Sequence, residues 1–155
     1  MGRTISKNVL ILGLIMMILL PALHASLYKT YTRWEIDALF VAWVISRHVE
    51  PNAQFTVVKK GSDIEPDLAI NTPKSRFRRS GRETAFESAL RYYKIHTACT
   101  KRLTPIIRIL EMAPWRKSED PKVLRFEDDI HTILQESDIS AAFDYIDHYC
   151  EGDQL

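Results

Sequence analysis

The stretch TRWEIDALFVAWVISRHVEP, residues 32–51, constrains the fold more than any other part of the chain. Ile36, Leu39, Phe40, Trp43, Val44 and Arg47 recur at three- and four-residue intervals, a spacing that places them on one face of an α-helix. Thr32 with Glu35 three residues on has the form of a capping box. A helix begun there has to end before Pro51, because the residue preceding a proline is pushed out of the helical region. AQFTVVKKG then reads as a short strand ending near Gly61, with PDLAIN at 66–71 as its candidate partner.

The remaining elements follow from caps and spacing. Residues 72–82 lack periodicity and read as a loop, closed by a second capping-box pattern, SGRE at 80–83, ahead of a helix with Phe86, Ala89, Leu90 and Tyr93 on one face. Leu103, Ile106, Ile107 and Leu110 mark another helix, with Pro105 as a candidate break within it. Asp120 before Pro121 is an N-cap followed by a favoured first position, leading to Val123, Phe126, Ile130, Ile133 and Leu134. Asp138 caps a last helix carrying Ile139, Ala142, Phe143, Ile146 and Tyr149. These patterns predict an α+β fold, predominantly helical, with about five helices and a small two-stranded sheet.

The N-terminus is of a different kind. Arg3 and Lys7 precede an apolar run from Val9 to Leu20, then Pro21 and the small Ala25. That order of basic, apolar and small residues is the layout of a bacterial secretory signal, with cleavage after Ala25. The run of about 12 residues is short of the roughly 20 that span a bilayer comfortably. Residues 1–25 are therefore expected to be a cleaved signal or an uncleaved inner-membrane anchor, and residues 26–155 a single exported, periplasmic domain. Cys99 and Cys150 lie 51 positions apart with no CxxC spacing. Export allows them to pair, and two buried thiols are the equal alternative.

Charge is unevenly distributed. Beyond residue 25 the chain holds 19 Lys+Arg (21 less the two before it) against 20 Asp+Glu. Residues 59–82 carry seven basic and three acidic side chains, and residues 118–155 two basic and eleven acidic. The basic end concentrates in RFRRSGRE, where Arg76, Arg78, Arg79 and Arg82 surround Ser80 and Gly81 at a predicted helix start. Guanidinium forks and helix-terminal amides together suit a tetrahedral oxyanion such as chromate or sulfate. An anionic membrane surface and a merely solvated loop are the rival readings. The run is too short for a nucleic-acid-binding helix, and no nucleic-acid partner is expected. No nucleophile elbow, P-loop, dinucleotide fingerprint or HExxH spacing occurs, so neither catalysis nor a cofactor or metal is expected.

EIDALFVAWVISRHVEPNAQF resembles the opening of the bacterial chromate-resistance exported family, the ChrB-like C-terminal domain. The residues carrying the resemblance are Asp37, Trp43, Val44, Ile45, Arg47, Glu50, Pro51, Ala53 and Phe55. A looser second block keeps Gly81, Phe86 and Glu87, and AAFDYIDHYC resembles the family's closing helix. Where the family has His, Asp and Cys around that glycine, this chain has Arg78 and Arg79, Arg82 and Thr84. Arginine cannot coordinate a metal, so the departures point away from metal or thiol chemistry. The resemblance implies an exported accessory or sensor protein of chromate resistance. A membrane-anchored interaction module without a chromate role is the alternative, and no protein partner can be named. Asp37 is expected to serve the start of its own helix beside Arg33, and Glu87 to pair with Arg91.

Overall fold

The computed structural model describes residues 25–152. The segment assigned above to a signal or anchor lies outside the described residues except at its last position. Among the described residues no helix is long and apolar enough to cross a membrane. Five α-helices and two strands follow one another as β1 (Leu27–Tyr31), α1 (Ile36–Val44), β2 (Gln54–Val58), α2 (Ala85–Tyr93), α3 (Ala98–Met112), α4 (Pro121–Glu136) and α5 (Ile139–Glu151). The fold is α+β and mostly helical, as the spacing predicts.

The strand pairing differs from expectation. β2 pairs in parallel with β1, Leu27 opposite Gln54 and Tyr31 opposite Val58. A parallel pair needs a long crossover, and α1 supplies it. PDLAIN instead flanks the other side of β1, where the Lys29 N–H donates to the Leu68 carbonyl and the Ile70 N–H to the Lys29 carbonyl, both at 2.9 Å. β1 escapes detection because LYKTY buries only Tyr28 and Thr30, one aromatic and one polar residue.

That pairing also displaces the first helix start. The Thr32 N–H extends the ladder by donating to the Val58 carbonyl, and Thr32 then turns the chain at φ 63°. It is therefore unavailable as a cap, and Glu35 occupies the N-cap position without a side-chain hydrogen bond. Every residue of α1 is buried. A helix apolar all round belongs at the centre of a core, and Phe40 meets Phe86 of α2 and Phe126 of α4 at centroid distances of 5.6 and 5.9 Å. α1 ends in a π-helical turn, Ile45–Val49, closed by the Glu50 N–H donating to the Ile45 carbonyl at 2.8 Å.

The second capping box is also relocated. Thr84, not Ser80, caps α2: its hydroxyl accepts from the Glu87 N–H at 3.1 Å, while the Glu87 carboxylate accepts from the Thr84 N–H at 3.0 Å. α3 runs unbroken through Pro105. Pro105 lies on an exposed face, as does Lys101 four residues back, so water can serve the carbonyl that loses its helical donor. Asp120 and Asp138 cap α4 and α5 as predicted, accepting from the N–H groups of Lys122 and Ala141 at 3.0 and 3.1 Å.

Cys99 and Cys150 form a disulfide with Cα atoms 5.0 Å apart, tying the start of α3 to the end of α5. Arg102 donates to the carbonyls of Tyr149 and Cys150, closing the same corner. Loop-closure entropy for this separation amounts to about 4 kcal/mol. Urea unfolding of the protein with and without reductant, or of Cys150→Ser, should show a loss of that order. Superimposable unfolding curves would show that the crosslink adds no stability.

Candidate functional site

Asp37 is fully buried at the start of α1. Its two oxygens accept from the N–H groups of Ala85 and Phe86, at 2.7 and 2.8 Å. The acid therefore serves the first turn of α2, across 48 and 49 residues of sequence, instead of the expected neighbourhood of Arg33. Free amides and the partial positive charge of a helix N-terminus supply the polarity an ionised carboxylate loses on burial.

Glu111, in the last turn of α3, completes a carboxylate pair. Its Oε1 accepts from the Asp37 N–H at 3.3 Å, and its Oε2 from Arg79 Nη1 at 2.7 Å; the same Nη1 also reaches the Glu111 carbonyl at 2.9 Å. Burial, reinforced by the nearby Asp37 charge, pushes the Glu111 carboxyl up from 4.5 to about 6 against the pull of Arg79. Burial also raises Asp37, opposed by its two amide donors and by Arg79. A second pair lies alongside. Glu87 receives Arg108 Nη1 at 2.5 Å, not Arg91, and Arg108 Nη2 reaches the Arg82 carbonyl at 2.8 Å. Arg91 pairs with Glu83.

The basic loop does not converge on an enclosed cradle. Arg76 binds Asp67 and stacks over Tyr92, 4.8 Å from the ring centroid. Arg78 donates to the Pro73 carbonyl, and Arg79 turns inward to Glu111. Arg82 engages through its backbone alone, and its guanidinium has no hydrogen-bond or ion-pair partner among the described residues. Three of the amides around the glycine are also taken: those of Arg82 and Glu83 donate to Ser80 Oγ at 3.3 and 3.2 Å, and that of Thr84 to Glu87. A Cβ at Gly81 would meet nothing within 4 Å, so no close approach requires glycine there. Arg78, Arg79, Ser80, Gly81 and Arg82 all remain exposed.

The other motif residues fix α5. Trp43 Nε1 donates to Asp147 at 2.7 Å, and Arg47 pairs with Asp147 and Asp144 at 2.8 and 3.2 Å. Pro51, Ala53 and Phe55 line an open groove of about 500 Å³ with Leu27, Arg47 and Phe143. Phe86 lies wholly in the core. Glu111 and Arg108 were not anticipated. The signal for Glu111 was an acid four residues after Ile107, in line with the apolar face of α3. Among the described residues, no group of three or more His, Cys, Asp or Glu side chains is placed to hold a metal ion.

These features define a small α+β domain whose first helix is joined to its second by a buried carboxylate beneath an arginine-rich loop. The chain belongs to the family of the ChrB C-terminal domain, whose model matches residues 28–148. No curated protein and no solved structure gives a significant match.

Two measurements test this junction. Asp37→Ala strips the acceptor from two buried amides, and should cost about 2–4 kcal/mol in urea unfolding, with charge-assisted bonds taken at about 1.5–3 kcal/mol each and not additive. An unchanged midpoint would overturn the assignment. For Glu111, whose folded pKa is raised from 4.5 to about 6, the favourable contribution is complete below 4.5 and disappears as pH rises through 6. The parent should therefore lose about 2 kcal/mol across that window, at about 1.4 kcal/mol per tenfold change in proton affinity. In Glu111→Gln that part of the pH slope should be missing.

Proposed function

We propose that the protein is an exported, non-catalytic recognition domain of chromate resistance, and that it takes a small tetrahedral oxyanion at the exposed edge of the basic loop. The observation that carries this reading is Arg82, a guanidinium with no acidic partner among the described residues, on the same loop as the exposed Arg78 and Arg79. The site is a surface of forked donors instead of a closed pocket, so its binding is expected to be modest and sensitive to salt.

Glu111 gives such a site a pH dependence. While ionised it neutralises Arg79. Protonation near pH 6 releases that guanidinium to an external anion. Export follows from the N-terminal pattern of Arg3, Lys7, the apolar run and Ala25.

Calorimetric titration with sulfate, which stays doubly charged across the range, tests the proposal. Sulfate should bind several-fold more tightly at pH 5.5 than at pH 8. Arg82→Ala should weaken it about tenfold, the lower end for a charge-assisted hydrogen bond. Glu111→Gln should bind at pH 8 as the parent does at pH 5.5. Equal binding by parent and Arg82→Ala would overturn the oxyanion site. Binding to anionic vesicles without affinity for free sulfate or chromate would favour a membrane-facing module.

A further inference from the structure

Glu50 begins the acid-proline step after the π-helical turn, and both its carboxylate oxygens have partners at the start of β1. The Ser26 N–H donates to Oε1 at 2.6 Å, and the Tyr28 hydroxyl donates to Oε2 at 3.2 Å. The Ser26 carbonyl accepts from the Gln54 N–H at 2.8 Å, so the backbone hydrogen bonding of the sheet begins at this residue. Among the described residues Ser26 is the first with a hydrogen bond, and the fold takes none from Ala25.

A half-buried carboxylate that receives one peptide N–H and one phenol has donors but, among the described residues, no counter-charge. The cations of its own segment do not supply one: Arg47 is held by Asp144 and Asp147, and His48 stands edge-on to Trp43. The nitrogen facing Oε1 is also the one that the sequence marks for release. Hydrolysis of the Ala25–Ser26 bond adds water across it, leaving a carboxylate on Ala25 and, once protonated, an α-ammonium on Ser26.

We propose that Glu50 is the receptor for the Ser26 α-ammonium created by cleavage after Ala25, so that in the mature domain an ion pair stands where the peptide N–H meets the carboxylate and fastens β1 to the Glu50–Pro51 turn. This rests on the export reading above. Cleavage there leaves the ladder from Ser26 to Val58 intact, and it replaces a single donor with an ammonium bearing three. Peptidase action precedes docking, because in the folded domain the scissile nitrogen is already seated against Glu50. The titratable groups facing Glu50 from the packed elements are Tyr28 of β1 and Tyr93 of α2. Burial pushes Tyr28 up to about 12 and raises Tyr93 as well, so neither titrates together with the α-amine.

The full chain is produced in a Gram-negative host that exports it, the product's first residue is read by mass spectrometry, and its α-amine is titrated by pH-dependent reductive methylation. The chain should begin at Ser26. Its α-amine should titrate at about pH 9, against an ordinary value of about 7.7–8.0, and should be methylated at pH 7.5 about tenfold more slowly than in Glu50→Gln. If Glu50→Gln fails to fold, the same chain in urea provides the reference, and its α-amine should return to the ordinary value. A product beginning at Ser26 whose α-amine titrates ordinarily would overturn the receptor and leave export standing. A product that keeps residues 1–25, or begins elsewhere, would overturn both the cleavage and the receptor.

Discussion

The Asp37 carboxylate against the amides of Ala85 and Phe86 is the interaction on which the other contacts of the basic region depend. It sets the beginning of α2 against the beginning of α1, and Phe40 can then meet Phe86 in the core. With α2 so placed, Thr84 and Glu87 close their capping box, Glu87 faces Arg108, and Glu111 lies near enough to take the Asp37 N–H and Arg79. A buried anion is costly unless donors replace its water. Here two main-chain amides do so, in the geometry by which a helix N-terminus holds a phosphate. The anion site at the head of α2 is thus filled by the protein itself.

This explains why the arginines spread out. A ligand cradle would need amides that point outward, but Ser80 Oγ and Glu87 hold those of residues 82–84 and Asp37 those of residues 85 and 86. Arg79 and Arg108 act as staples from loop and α3 to carboxylates that are largely shielded from solvent, and Arg76 fastens the loop to Asp67 and Tyr92. Of the loop's charge, Arg82 remains as an outward donor. The acidic C-terminal half is used locally too, since Asp144 and Asp147 on α5 hold Arg47, and Asp129 takes the Tyr145 hydroxyl at 2.8 Å.

Helix content, the caps at Asp120 and Asp138 and the apolar faces of α2–α5 were legible because each depends on residues no more than four apart. The misreadings share one cause. Thr32 with Glu35 and Ser80 with Glu83 satisfy the capping pattern as well as Thr84 with Glu87 does, and local sequence cannot choose between them. The sheet chooses against Thr32 by drawing its N–H to Val58, and Asp37 chooses Thr84 by waiting at the next two amides. β1 and the partner of Asp37 are invisible for the same reason: a parallel strand and a contact 48 residues away leave no periodic mark. The sequence leaves open whether Pro105 breaks α3, because the cost depends on whether the orphaned carbonyl sees water, which is a property of the packed surface. At the candidate site the arginines were visible and their partners were not.

The acids that carry the family resemblance have a common use. Asp37 accepts from Ala85 and Phe86, Glu50 from Ser26 and Glu87 from Thr84, so each one receives main-chain N–H groups where an element begins. Asp37 and Glu50 do so across long stretches of sequence, and Trp43 and Arg47 extend the pattern by fixing α5 through Asp147. Residues used in this way determine which strand and helix ends meet, and a side chain committed to a main-chain donor has little capacity left for a ligand. The matching positions therefore carry the architecture. The departing positions 78, 79 and 82 lie on the exposed rim of the junction; Arg79 reaches inward to Glu111, whereas a changed side chain at 78 or 82 alters what the surface offers without touching Asp37. Thr84 is the exception: it lies inside the junction, and its hydroxyl is spent on capping α2. The side chain that the rim presents without a partner among the described residues is the Arg82 guanidinium.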